Sequence, residues 1–133
     1  MSQENVELVY QGNEAFNRRD LDAFLSLCDP DLEFFSRFME LEGGRPYRGP
    51  DGIRDWWEKV HGVWSDLSLE IEEVRDLGEI TVTQAHLRGH GMESDAPWEQ
   101  TQWHVLEWRG GKVIRWRVFM SEGEALESAG LSE

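Results

Sequence analysis

Histidine is the side chain that titrates near neutrality without help, so the four histidines are the first places to look for chemistry. His86 lies in an alternating run that puts Gln84 and Arg88 on its own face, two residues to either side. Facing a cavity, such a row could hold a carboxylate, or His86 could act as acid and base while Arg88 or Gln84 polarises a carbonyl. Facing outward, the same row is a dimer or solvent surface. The candidate catalytic residues are therefore His86 and Arg88, with Gln84 beside them. His104 alternates with Trp103 and is expected on an outer face with Gln102, Arg115 and Arg117. His61 closes a helix, where an imidazole satisfies terminal carbonyls.

Other chemistries find little purchase. His86 and His90 sit about 13 Å apart along an extended strand, too far to share an ion, so no metal site is expected. Cys28 has no basic neighbour in sequence and reads as a small core residue. There is no glycine-rich phosphate loop and no Ser-His-Asp pattern, and no cofactor is expected. What the chain has in quantity is aromatic bulk. Trp103, Trp108 and Trp116 give the chain more bulk than a flat two-layer sheet absorbs, so the sheet is expected to curl around something. If that is a cavity, Phe16, Phe34 or Phe35, Trp56 or Trp57, Trp103, Val105, Trp116 and Met120 would line it and suit a flat or apolar small molecule. The same residues could simply fill a core. Asn13 is a polar residue on an apolar helix face, either a donor to a ligand or bonded to backbone inside the core.

The elements that must position these residues follow from periodicity. Val6, Val9, Tyr10, Asn13 and Phe16 have helical spacing up to Asn17. Asp20 caps a short second helix with Leu21, Phe24, Leu25 and Cys28, stopped by Pro30. Leu32 to Phe38 reads as a strand, Glu40 to Arg48 as a loop, and Pro50 opens a third helix whose apolar face is Ile53, Trp56, Trp57 and Val60. A strand through Leu67, Leu69 and Ile71 and another over Ile80 to His90 precede the long hairpin from Trp98 to Met120. Gly110 and Gly111 supply its turn. In its first arm Thr101, Trp103 and Val105 share a face; in its second, Ile114, Trp116, Val118 and Met120 do. Ser121 and Glu124 have the spacing of a capping box for a last helix. The order predicts one α+β domain over residues 1–133, with helices on one face of a bent antiparallel sheet.

Composition bounds the partners. Twenty-seven acidic against thirteen basic residues give a net charge of −14, which repels nucleic acid and anionic membranes, so neither is expected as a partner. A single cysteine rules out an intrachain disulfide framework, and nothing at the N-terminus joins a basic segment to an apolar run, so the expected location is cytoplasmic.

The order of elements, together with the segments AFNRRDLDAFLSLCDPDLEF, YRGPDGIRDWWEKV, RGGKVIRWRVF and EALESAGL, resembles the SnoaL-like branch of the nuclear transport factor 2-like (NTF2-like) superfamily over nearly the whole chain. The resemblance implies a cone, in which a strongly curved antiparallel sheet wraps three N-terminal helices around a cavity open at one end. It also implies a homodimer through the outer sheet face. It does not imply one activity, since similar folds serve steroid isomerases, polyketide cyclases, epoxide hydrolases, dehydratases and binding modules. In the ketosteroid isomerase relatives an aspartate on the first strand is the base, and a tyrosine and a protonated aspartic acid hold the oxyanion. Those roles carry over onto Ser36, Gly12 and Trp103, none of which can perform them. The expected strands hold no aspartate, which also argues against the Asp-Arg-Asp arrangement of the epoxide hydrolases. The expected function is binding of an apolar or aromatic small molecule in the cone by Asn13, Phe16, Phe34, Trp56, Gln84, Trp103, Val105, Trp116 and Met120. One alternative is an isomerase, cyclase or dehydratase using a cavity histidine; another is an interaction module acting through the outer sheet face.

Overall fold

The computed structural model describes residues 2–36 and 43–130. Arg37 and Phe38, where the first strand was expected to end, and the start of the loop expected from Glu40 lie outside the described residues. The elements run α1 (Ser2–Asn17), α2 (Leu21–Leu25), β1 (Cys28–Phe35), β2 (Tyr47–Arg48), α3 (Gly49–Val63), β3 (Ser68–Asp76), β4 (Ile80–His90), β5 (Pro97–Arg109), β6 (Lys112–Phe119) and α4 (Glu122–Ser128). No helix among the described residues is long and apolar enough to cross a membrane.

Most boundaries have a local chemical cause. The Asp20 carboxylate accepts from the Ala23 amide at 3.0 Å and starts α2. The hydroxyl of Ser121 accepts from the Glu124 amide at 3.2 Å and starts α4. Pro50 occupies the first turn of α3. Before it, Gly49 has φ +61°, and a Cβ there would stand 2.8 Å from the carbonyl oxygen of Pro30, so the chain can only turn here without a side chain. Gly110 and Gly111, at φ +58° and +79°, make the β5–β6 turn. Cys28 corrects the sequence reading: α2 ends at Leu25, and Cys28 opens β1.

The six strands form one curved, open sheet in the order β2-β1-β6-β5-β4-β3. From β2 the chain passes through α3 to the far edge, restarts as β3 and meanders back, so that β6 arrives beside β1 running parallel to it. The sheet is therefore mixed, where the sequence predicted an antiparallel one. Three irregularities interrupt its ladders: Glu72 is an extra residue in β3, Ile114 an extra residue in β6, and the β1–β6 register shifts between Cys28 and Glu33; bulges of this kind add local twist.

Helices α1, α2 and α3 pack on the concave side around a core whose most enclosed members are Phe34, Leu32, Ile53 and Leu67. The last helix breaks the expected one-sided arrangement. Ala125 on α4 packs against Val82 and Val105 on the convex side, as a separate small core. Two side chains tie the end of α1 to β3 and to the segment that leads into it. Asn17 both donates to and accepts from the backbone of Leu69, at 2.8 Å each way, as a neighbouring strand would. Arg19 donates to the carbonyls of Phe16, Ser65 and Leu67 at 2.7–3.0 Å.

Candidate functional site

Strand register decides which side chains meet the helices, because a shift of one residue exchanges the two faces. At the β5–β6 turn Arg109 pairs with Lys112 and Trp108 with Val113. Ile114 then interrupts the ladder, so that Glu107 pairs with Arg115, Leu106 with Trp116 and His104 with Val118. An unbroken ladder would have set Val105 opposite Trp116. The bulge sets Leu106 there instead, and His104 and Leu106 turn inward while Trp103 and Val105 turn outward. Across the other edge of β5, His104 stands directly opposite Thr83.

Between the concave face and the three helices lies a cavity of about 120 Å³. Its wall is mostly apolar, with Leu8 and Phe16 from α1, Phe24 from α2, Trp56 from α3, and Leu106 and Trp116 from the sheet. The polar side chains on it are Asn13, Thr83 and His104. The Trp116 indole N–H donates to Nδ1 of His104 at 2.8 Å. Nδ1 must therefore be unprotonated and Nε2 carries the hydrogen, which it donates to Gln102 Oε1 at 3.0 Å. Burial pushes the His104 pKa down to about 4, so the ring is neutral at pH 7. Asn13 Oδ1 and Thr83 Oγ1 are buried with no hydrogen-bond partner among the described residues.

Of the residues expected at the site, the fold brings Asn13, Phe16, Trp56 and Trp116 together on the wall. Phe34 stands one layer behind, stacked on Trp116 with ring centroids 3.7 Å apart and planes 14° from parallel. Gln84, His86 and Arg88 are not on the wall, because Thr83, Ala85 and Leu87 hold the concave face of β4. On the convex side His86 is engaged by Glu99 at 2.8 Å and Thr101 at 3.2 Å. Arg88 pairs at 3.9 Å with Glu70, and Gln84 donates to Glu72 at 3.3 Å. Trp103 and Val105 pack with Phe119 and α4 for the reason of register already given. Met120 follows the end of β6 and does not reach the wall.

The sequence reading missed Thr83, Leu106 and His104, and placed His104 outside. The small and apolar run Ala85, Leu87, Gly89 was the available signal for the inward face of β4; pairing β5 against it would have carried His104 inward. The strands do contain aspartates, contrary to expectation, since β1 begins at Cys28 and takes in Asp29 and Asp31, and β3 ends at Asp76. None lines the cavity. Asp29 is occupied by the Asp31 amide at 2.8 Å and by Arg109 at 3.4 Å, and these bonds, the amide first, hold its carboxyl below the usual range. His61 does what its helix-end position suggested, bonding the Trp57 carbonyl at 3.0 Å through Nδ1. Cys28 is buried, which pushes its thiol up to about 12. Among the described residues no three His, Cys, Asp or Glu side chains converge as metal ligands.

Solved structures of the same shape are numerous. An NTF2-like protein of unknown function from Burkholderia pseudomallei superposes with a TM-score of 0.79 at 22% identity, over 93% of this chain and 95% of that one. TerC, crystallised with polyporic acid, gives 0.78 at 22% identity over 93% and 96%. IdmH from Streptomyces antibioticus, a candidate polyketide cyclase, gives 0.76 at 20% identity over 96% and 99%. At these identities the likeness is one of fold. No curated protein matches the chain. The SnoaL-like domain model matches residues 9–116, from Val9 on α1 to Trp116 on the cavity wall, and the chain thus belongs to the SnoaL-like family.

Proposed function

We propose that this protein binds a compact apolar or aromatic small molecule inside its cone. The observation that carries the reading is the cavity itself, about 120 Å³ behind a wall of aromatic and aliphatic side chains with few polar groups. Apolar cavities of roughly 150 Å³ take up benzene, so the scale is that of one ring. Trp56, Trp108 and Trp116 all touch the cavity, which makes intrinsic fluorescence a direct reporter. Titration with toluene should change the emission saturably with one molecule per chain; an emission unchanged at toluene saturation contradicts the reading.

Binding is favoured over acid-base catalysis because the one histidine on the wall has both ring nitrogens engaged within the protein. To take a proton from a substrate, His104 would have to give up its bond from Trp116. The outer-face row of His86 and Arg88 suits a different role, a homodimer through the convex sheet face, where Trp103 and Phe119 are only partly covered. Sedimentation equilibrium tests that role: Phe119→Arg should shift a dimer towards monomer, and a monomeric wild type contradicts it. The proposed setting is the cytoplasm, which suits a chain whose one cysteine is buried as a free thiol.

A further inference from the structure

The polar atoms on the wall narrow the ligand class, an inference that rests on the cavity being a binding site. His104 has no capacity left, since Nδ1 accepts from Trp116 and Nε2 donates to Gln102. Asn13 Oδ1 and Thr83 Oγ1 are the buried polar atoms of the wall that have no hydrogen-bond partner among the described residues. Thr83 is only 4% exposed, so bulk water does not serve its hydroxyl. Unpaired buried polar atoms are unfavourable, and a guest that pairs with them gains what the empty site lacks.

We infer that the ligand is a single-ring phenol, with its ring against Phe16, Leu106 and Trp116 and its hydroxyl bonded to Thr83 or Asn13. Volume points to one ring, because a space of about 120 Å³ is on the scale of the apolar cavities that take up benzene. Charge sets the head group. Among the described residues the wall carries no lysine or arginine, and its histidine is held neutral, so a carboxylate or phosphate would be buried there without a counter-charge. A phenol is neutral at pH 7, and its hydroxyl can donate to Asn13 Oδ1 and accept from the Thr83 hydroxyl. A ketone could accept from Thr83 but would leave Asn13 Oδ1 without a donor.

Calorimetric titration with toluene and p-cresol, which differ by one hydroxyl, tests this on the wild-type protein, Thr83→Val and Asn13→Leu. The wild type should bind p-cresol at least about fivefold more tightly than toluene, the gain expected of one hydrogen bond. Thr83→Val exchanges the hydroxyl for a methyl of similar size and should keep or raise the melting temperature. In one or both variants the cresol-to-toluene ratio should fall towards one. Equal binding of the two probes to the wild type, as when a water already bridges Thr83 and Asn13, overturns the phenol inference and leaves an apolar site. A ratio that survives in both variants overturns it as well. If neither probe binds, the cavity is not a binding site and both proposals fall together.

Discussion

Trp116 donates its indole N–H to Nδ1 of His104 at 2.8 Å, between two rings that are each more than nine-tenths buried. That bond fixes the imidazole tautomer and continues as a directed chain, His104 to Gln102 at 3.0 Å and Gln102 to Gln100 at 2.6 Å, along the concave side of β5. It also ties the cavity wall to the aromatic stack behind it, since Trp116 lies face to face with Phe34 and edge-on to Trp56. The polar chain thus holds a tryptophan in place rather than offering a proton to a guest.

Stability should fall as the solution is acidified through the His104 range. Folded His104 titrates at about 4 against about 6.5 unfolded, so the unfolded chain binds the proton first as pH drops. The neutral ring's contribution is complete above pH 6.5 and is lost between 6.5 and 4, for a total on the order of 3 kcal/mol. Urea unfolding at pH 7.5 and pH 5 measures it. In His104→Phe this part of the pH dependence should be missing.

His104→Phe should itself cost about 1–3 kcal/mol at pH 7.5, because the Trp116 N–H and the Gln102 side chain lose their partner in a buried place. An unchanged urea midpoint would contradict the structural role assigned to that histidine.

His90 carries the opposite sign. Its Nδ1 meets Asp66 Oδ2 at 2.7 Å, and this hydrogen bond, with the carboxylate's charge, raises the His90 pKa. The stabilisation is complete below the unfolded value and fades as pH rises through the raised one. An NMR titration should show His90 titrating above 6.5 and returning towards it in Asp66→Asn.

Val105 and Leu106 are neighbours on opposite faces of β5, and substitution should separate them. Val105→Ala should cost about 1–3 kcal/mol by loosening α4 against the sheet, with toluene affinity unchanged. Leu106→Ala alters the wall and should change both quantities. Equal effects on toluene binding would contradict the register.

The elements of this fold are written in local signals. Asp20, Pro50, Ser121 and the Gly110-Gly111 turn each acted where their chemistry said they would, and the inward bulk of Phe16, Trp56 and Trp116 was legible from spacing, whereas a cavity beside it came only from the family resemblance. The failures trace to Ile114. A bulge has no compositional mark of its own, yet it shifts one side of a ladder by a residue, and this moved Trp103 and Val105 out and brought His104 in. The polar row of Gln84, His86 and Arg88 misled for a different reason: on a sheet with one solvated face, polar residues mark the outside more often than a site.

The most direct test of ligand binding in the cone is a crystal of the protein soaked in iodobenzene, with the iodine located by its anomalous signal. Binding inside the cone predicts one strong peak enclosed by Phe16, Leu106 and Trp116. Iodine found only on the outer surface, or no ordered iodine at all, would contradict it.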